Sequence, residues 1–157
     1  MLFRSTTPAV QFQAGTISGS ITLTLTLQAG GIDITPASLT PVVIQVPPSA
    51  PTIESLTVTR NGTTLTVTII GFSNTREMKS AAFQFTAASG DTITNPSVSV
   101  DLGSSFVTWY GQAASDQYGS SFTYVQTFLL TDDASTIGTV SGTLVNSIGD
   151  SNTKSNQ

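Results

Sequence analysis

The sequence predicts an all-β fold of sandwich type, and three observations support this prediction. Short runs that alternate apolar and polar residues recur along the chain, as in strands that bury one face. Turn signals rich in Gly, Pro, Asn and Asp separate these runs at intervals of roughly 8–12 residues, which is typical of β-sandwiches. A heptapeptide occurs twice, as residues 15–21 (GTISGSI) and residues 138–144 (GTVSGTL). The repeat indicates a modular protein.

The clearest strand signal covers residues 17–27, where apolar and hydroxyl side chains alternate. The aliphatic residues of this run are Ile17, Ile21, Leu23, Leu25 and Leu27. A return strand is predicted from Ile32 and Ile34 and is interrupted by Pro36, because proline has no amide hydrogen to donate. Residues 42–46 form another short alternating run. Since a strand pair alone is marginal in water, we predict that the five aliphatic side chains form a strand-addition interface.

Residues 47–52 (PPSAPT) are predicted to be a linker, because three prolines favour the extended polyproline II conformation of a semi-rigid spacer. This linker separates an N-terminal strand segment, residues 1–46, from a domain over residues 53–148. The N-terminal segment is interpreted as the tail of a preceding module or as a donor strand. Residues 149–157 are polar and are predicted to be a disordered tail.

The domain begins with the strongest hairpin signal of the chain. Asn61-Gly62 separates strands predicted over residues 56–60 and 64–70. Further strands are predicted over residues 81–85, 93–100, 122–130 and 137–145. These strands and their spacing favour an immunoglobulin-like β-sandwich preceded by the N-terminal strand pair, with an eight-stranded barrel as the alternative.

One segment of the domain departs from the strand pattern. Ser104 or Ser105 is predicted to cap a short helix in a connecting loop. The residues with the spacing of one helical face are Phe106, Trp109, Tyr110 and Ala113.

The composition excludes several classes of function. Charged residues make up 9% of the chain, against a usual value of about 25%, and Ser and Thr supply the polar surface instead, which favours an extracellular or cell-surface protein. The five basic residues are scattered and the net charge is −4, so neither nucleic acid nor an anionic membrane surface is an expected partner.

No apolar stretch reaches the ~18 residues of a membrane-spanning helix. Residues 1–10 lack a signal-peptide pattern, so we expect the export signal elsewhere in a longer gene.

Catalytic chemistry has few candidate residues. The chain contains neither His nor Cys, which excludes Ser-His-Asp and Cys-His arrangements and histidine-ligated zinc. We therefore expect a non-enzymatic protein without a cofactor.

Asp132 and Asp133 are weak calcium candidates, although Asp in a turn is more simply explained by bonds to nearby amides. Trp109 and Tyr110 are candidate aromatics for glycan binding, although packing on the core is the favoured interpretation for Trp109.

Four features together carry a resemblance to a known kind of module. They are the doubled heptapeptide, the Gly71–Glu77 loop (GFSNTRE), the Phe83–Thr86 strand (FQFT) and Trp109-Tyr110. The chain resembles immunoglobulin-like repeats, of adhesin or fibre type, that occur toward the C-termini of large exported bacterial proteins. Residues 53–148 carry the resemblance fully, and residues 12–46 look like the end of a preceding copy.

The resemblance implies a structural or adhesive role, with neighbouring copies or adjacent modules as partners and with no catalytic residue. We expect an extracellular spacer, an adhesin stalk or a fibre subunit joined by strand addition. The alternative is a carbohydrate-binding accessory module of a secreted protein, which predicts that Trp109, Tyr110 or Tyr118 lies exposed on one surface.

Overall fold

The computed structural model describes residues 12–156, and its fold is predominantly β with antiparallel sheets and one α-helix, as the sequence predicts. The strands are β1 (Gly19–Leu23), β2 (Gln28–Ala29), β3 (Ile32–Asp33), β4 (Val42–Val46), β5 (Thr52–Asn61), β6 (Thr64–Phe72), β7 (Ser80–Ala87), β8 (Ser97–Asp101), β9 (Ser121–Leu129), β10 (Ile137–Val145) and β11 (Lys154–Ser155). The helix is α1 (Gly103–Tyr110), and short 3-10 helices cover Ala113–Tyr118 and Ala134–Thr136. Residues 1–11 of the predicted N-terminal segment and Gln157 of the predicted tail lie outside the described residues.

Two sheets form the body of the domain. One has the strand order β5-β6-β9 and the other β8-β7-β10-β11, and every pairing within them is antiparallel. Alternate residues of both sheets share one core, which includes Val67, Ile69, Phe83, Val140 and Leu144. Burying an aliphatic or phenyl side chain stabilises a fold by ~1.5–3 kcal/mol, so this shared core holds the two sheets together.

The predicted hairpin at Asn61-Gly62 is confirmed, but the turn is displaced by one residue. Asn61 pairs with Thr64, so the two loop residues are Gly62 and Thr63. Gly62 has a φ of 55°, which a glycine at the first loop position supplies without steric cost. Asn61 instead ends β5.

The predicted helix is confirmed as α1, but its cap and its length differ from the prediction. Leu102 occupies the N-cap position, and the Asp101 carboxylate accepts a hydrogen bond from the Gly103 amide at 2.8 Å, so the prediction of a serine cap is wrong. The helix ends at Tyr110, and Ala113 lies exposed in the following 3-10 helix. Phe106 is the buried residue of α1. In the described part of the chain, no helix is long and apolar enough to cross a membrane.

The C-terminal segment predicted to be disordered is ordered instead. β11 adds to the edge of the four-stranded sheet by pairing with β10. The Asn152 side chain accepts from the Ile53 amide at 2.8 Å and donates to the Ile53 carbonyl at 3.0 Å. Asn156 makes the equivalent contacts with Val140, through its side-chain oxygen and its backbone amide. The prediction fails because asparagine amides here replace strand hydrogen bonds, which a polar composition does not reveal.

The linker over residues 47–52 is docked on the domain rather than free. Asn74 accepts from the Ser49 amide and donates to the Pro47 carbonyl, both at 2.9 Å. Asn146 donates to the Ser49 carbonyl at 2.9 Å, and Pro51 is buried. The prolines set an extended path, and two buried asparagines hold that path against the domain.

Candidate interaction surfaces

The N-terminal strands form a two-stranded ribbon, here called the N-terminal ribbon, in which β1 pairs with β4. The predicted strand over residues 17–27 is thus shorter than expected, and β3, at the predicted return strand, pairs only with β2. Directly opposed residues of an antiparallel pair point to the same side. One face of the ribbon therefore carries only glycine and aliphatic residues: Gly19, Ile21, Leu23, Val42, Ile44 and Val46.

This apolar face is only partly covered. Val42 is 60% exposed and Leu23 is 37% exposed, whereas Ile21, Ile44 and Val46 are half-buried. Of the other predicted interface residues, Ile17, Leu25 and Leu27 are also exposed, at 42%, 56% and 38%. No second sheet packs on the ribbon among residues 12–156. The alternation predicts a face buried under a second sheet, but part of this face remains in contact with water.

The second copy of the heptapeptide shows the cover that the first copy lacks. Val140 and Leu144, which correspond to Ile17 and Ile21, are completely buried between the sheets. Gly142 pairs with Lys154 of β11, and Gly19 pairs with Val46 of β4. The central glycine of the phrase thus faces a later antiparallel strand in both copies, although residues 15–18 of the first copy precede β1 and the whole second copy lies in β10.

Hydrogen bonds attach the ribbon to the domain. The Ser18 amide donates to the Asn74 carbonyl at 2.8 Å, and the Asn74 side chain holds Pro47 and Ser49. Both strands of the ribbon are thus attached to one buried asparagine at the same end of the ribbon, where Gly19 pairs with Val46.

A second surface surrounds Arg76, which braces α1 against the following 3-10 helix. The guanidinium lies 5.0 Å from the centroid of the Tyr110 ring. It donates to the Tyr110 carbonyl at 3.1 Å and to the Ser115 hydroxyl at 2.5 Å, and it forms an ion pair with Asp116 at 3.2 Å. Arg76 has a φ of 53°, a conformation that costs an L-residue ~1–2 kcal/mol, so these contacts offset local strain.

We expect Arg76→Ala to lower the free energy of unfolding by about 2 kcal/mol, because it removes charge-assisted hydrogen bonds and the cation–π contact. The matched variant Asp116→Ala removes only the ion pair to a carboxylate that is 70% exposed. We expect that change to cost less than ~0.5 kcal/mol. Urea denaturation of both variants provides the measurement. Equal losses in the two variants would show that the ion pair, and not the brace, stabilises this region.

Tyr110, a predicted ligand aromatic, lies at the edge of the core. Its ring is 5.9 Å from that of Phe106, and its hydroxyl donates to the Ser120 carbonyl at 3.1 Å. Burial raises the pKa of Tyr110 to about 12, although the Arg76 charge acts in the opposite direction. Both the ring and the hydroxyl of Tyr110 therefore make contacts within the domain.

Trp109, the other predicted ligand aromatic, faces a different neighbour. Its ring centroid lies 5.9 Å from that of Tyr118, with 37° between the ring planes. Both rings line an open concavity of about 320 Å³, together with Ile70, Ser121, Phe122 and Thr123. Sequence adjacency suggested Tyr110 as the companion of Trp109, but consecutive helical residues point in different directions, which favours a companion from outside α1.

The two aspartates considered for calcium stabilise a turn. Asp133 accepts from the Ser135 amide at 2.9 Å and caps the 3-10 helix Ala134–Thr136, and these hydrogen bonds lower the pKa of Asp133. Asp132 accepts a long hydrogen bond of 3.4 Å from Thr131. Across residues 12–156, no group of three or more acidic side chains is arranged to hold a metal ion.

Comparisons with known proteins add no family to this picture. The sequence matches no protein-family model, and neither the curated proteins nor the solved structures contain a significant match.

Proposed function

We propose that this protein is a non-enzymatic, extracellular structural module with an immunoglobulin-like β-sandwich. The strand order supports the sandwich assignment. If the domain strands β5 to β11 are lettered A to G in chain order, one sheet has the order A-B-E and the other has the order D-C-F-G. An immunoglobulin constant domain places strand D beside E, whereas here β8 pairs with β7 in the opposite sheet. The proposed module is therefore a variant in which the fourth strand has changed sheets.

The observation that carries the structural role is the partly exposed apolar face of the N-terminal ribbon. The correspondence between β1 and β10 makes the ribbon the equivalent of strands F and G of another sandwich. Each large aliphatic side chain left in water forgoes ~1.5–3 kcal/mol of stabilisation. Strands that complete a sandwich with the ribbon would cover these side chains and recover this stabilisation.

We infer that its partner is the remainder of a preceding module of the same type. The domain over residues 52–156 already contains β10 and β11 at the F and G positions. A second copy of this domain therefore has its own F and G strands, and the ribbon could join it only at an open sheet edge. This argument favours a tandem spacer or stalk over a fibre that grows by strand addition between copies.

The low content of charged residues supports an extracellular location, as the sequence already predicts. The docked linker supports a stiff connection, because Asn74 accepts from the Ser49 amide and Asn146 donates to the Ser49 carbonyl. A stiff connection between consecutive sandwiches is what a spacer requires.

A hybrid chain tests the proposed role of the ribbon. Residues 51–137, which supply strands A to E, are placed directly before residues 15–157, so that the ribbon can complete a second sandwich. We expect amide hydrogen exchange in β1 and β4 to slow by at least about tenfold relative to the unfused chain, because the ribbon becomes part of a folded unit. Exchange followed by mass spectrometry gives the measurement.

Two substitutions in the hybrid provide the control. Ile21→Asp places a charge on the apolar face and is expected to abolish the protection, since an unpaired buried charge is strongly unfavourable. Thr22→Asp, on the opposite face, is expected to leave the protection in place. If β1 and β4 exchange equally fast in the hybrid and in the unfused chain, the proposal is wrong.

A further inference from the structure

The concavity at Trp109 and Tyr118 has the chemistry of a binding site that the structural role does not require. Tyr118 is 53% exposed although it is a large aromatic residue, and Trp109 keeps a smaller part of its surface exposed. Ile70 extends the same surface and is 43% exposed. Exposed apolar residues that adjoin one another in a concavity mark interaction sites more often than scattered ones do.

The sequence places these residues on separate elements that the fold brings together. Trp109 is on α1, Tyr118 ends the 3-10 helix Ala113–Tyr118, and Ile70 is on the outer face of β6 opposite Thr123 of β9. Gly119, with a φ of 59°, turns the chain from the 3-10 helix into β9. The Arg76 brace holds the 3-10 helix against α1 through Ser115 and Tyr110. The two rings are thus positioned by rigid neighbours.

We propose that this concavity binds a neutral sugar ring. All six lining residues are uncharged, so the site favours a neutral ligand over an anionic or a cationic one. The aromatic faces carry partial negative charge and attract the weakly positive C–H groups on one face of a pyranose. Ser121 and Thr123 place exposed hydroxyls beside the rings, where the hydroxyl groups at the edge of a sugar need hydrogen-bond partners.

The size of the concavity limits the ligand. Its volume of about 320 Å³ lies at the lower end of the range for ligand sites, roughly 300–1,000 Å³. A short segment of a polysaccharide therefore fits better than a long oligosaccharide that needs several subsites. Binding would attach the stalk laterally to a glycan, a role that goes beyond that of a spacer.

The single tryptophan of the chain makes the test specific, because its fluorescence reports on this site alone. The probes are cellotetraose, the β-1,4-linked tetramer of N-acetylglucosamine, and mannotetraose, each titrated against the full chain. We expect a saturable change in emission with at least one of them. If none of the three probes produces a saturable change, the proposal is overturned.

Substitutions then locate the binding. Tyr118→Ala is expected to weaken the affinity by at least about tenfold, which is the effect of losing one aromatic stacking partner. Trp109→Phe keeps a ring and is measured by calorimetry, where we expect a smaller loss. The control is Val107→Ala, which truncates a side chain of α1 that is 69% exposed and lies outside the concavity. An equal loss of affinity in Val107→Ala and Tyr118→Ala would contradict binding at this site.

Discussion

Replacing Gly71 by alanine is expected to lower the free energy of unfolding by about 3 kcal/mol, at the upper end of the usual range for overpacking. Gly71 lies on β6 directly opposite Phe122 of β9. A Cβ atom at this position would approach the Phe122 ring to 2.7 Å and the Thr52 carbonyl oxygen to 2.8 Å. The carbonyl belongs to the paired strand β5, so it cannot move away without breaking the ladder.

Equilibrium unfolding in urea measures this effect, with Gly103→Ala as the matched control. The nearest atom to a Cβ at Gly103 is the Asp101 carboxylate oxygen at 3.4 Å, which is an ordinary contact. Because Gly103 begins α1, alanine there is expected to be neutral or slightly stabilising. If Gly71→Ala were as stable as the parent chain, the close packing of β5 and β9 on this glycine would be disproved.

Replacing Asn146 by alanine is expected to cost about 3–4 kcal/mol, because one side chain satisfies four partners. Its amide nitrogen donates to the Ser49 carbonyl at 2.9 Å and to the Thr75 hydroxyl at 3.1 Å. Its oxygen accepts from the amides of Ile148 and Gly149 at 2.9 and 3.1 Å. Asn146 is 2% exposed, so its truncation removes all four bonds from the interior, and each partner left unsatisfied costs ~1–3 kcal/mol.

Asn95→Ala is the control for this change, because Asn95 is exposed in a loop and its truncation is expected to stay within ~0.5 kcal/mol. Hydrogen exchange at Ile148 and Gly149 adds a local readout, since their amides donate to Asn146 and are expected to lose protection in Asn146→Ala. A globally destabilised variant in which these two amides stay protected would contradict the role of Asn146 in holding the loop over residues 146–149.

Much of the fold could be predicted from short-range patterns. The alternation in β6, where Leu65, Val67 and Ile69 face the core, is visible in the sequence because side chains of a strand alternate with a period of two. The hairpin was predictable because glycine at a turn has few competitors for a positive φ. The boundary of β1 was not, since Leu25 and Leu27 continue the same alternation but lie beyond the end of the strand. An alternating pattern shows which face is apolar and leaves open where the partner strand ends.

The candidate surfaces depended on the tertiary structure to different degrees. The alternation places Ile21 and Leu23 on one strand face as predicted, but Ile17, Leu25 and Leu27 lie outside β1. The pairing of Trp109 with Tyr118 could not be predicted, because it depends on the path of the chain through Gly111 and the 3-10 helix. The asparagines that order the linker and the C-terminal segment were also missed, since a buried asparagine and an exposed one look the same in a sequence.

Local periodicity and composition are enough to predict an all-β protein with a repeated heptapeptide and without histidine or cysteine chemistry. These conclusions need no knowledge of distant contacts. The burial of Val140 and the exposure of its counterpart Ile17 could not be predicted in this way, because the two residues lie in nearly the same phrase. Burial depends on which second sheet lies across the strand, and residues far away in the chain supply that sheet.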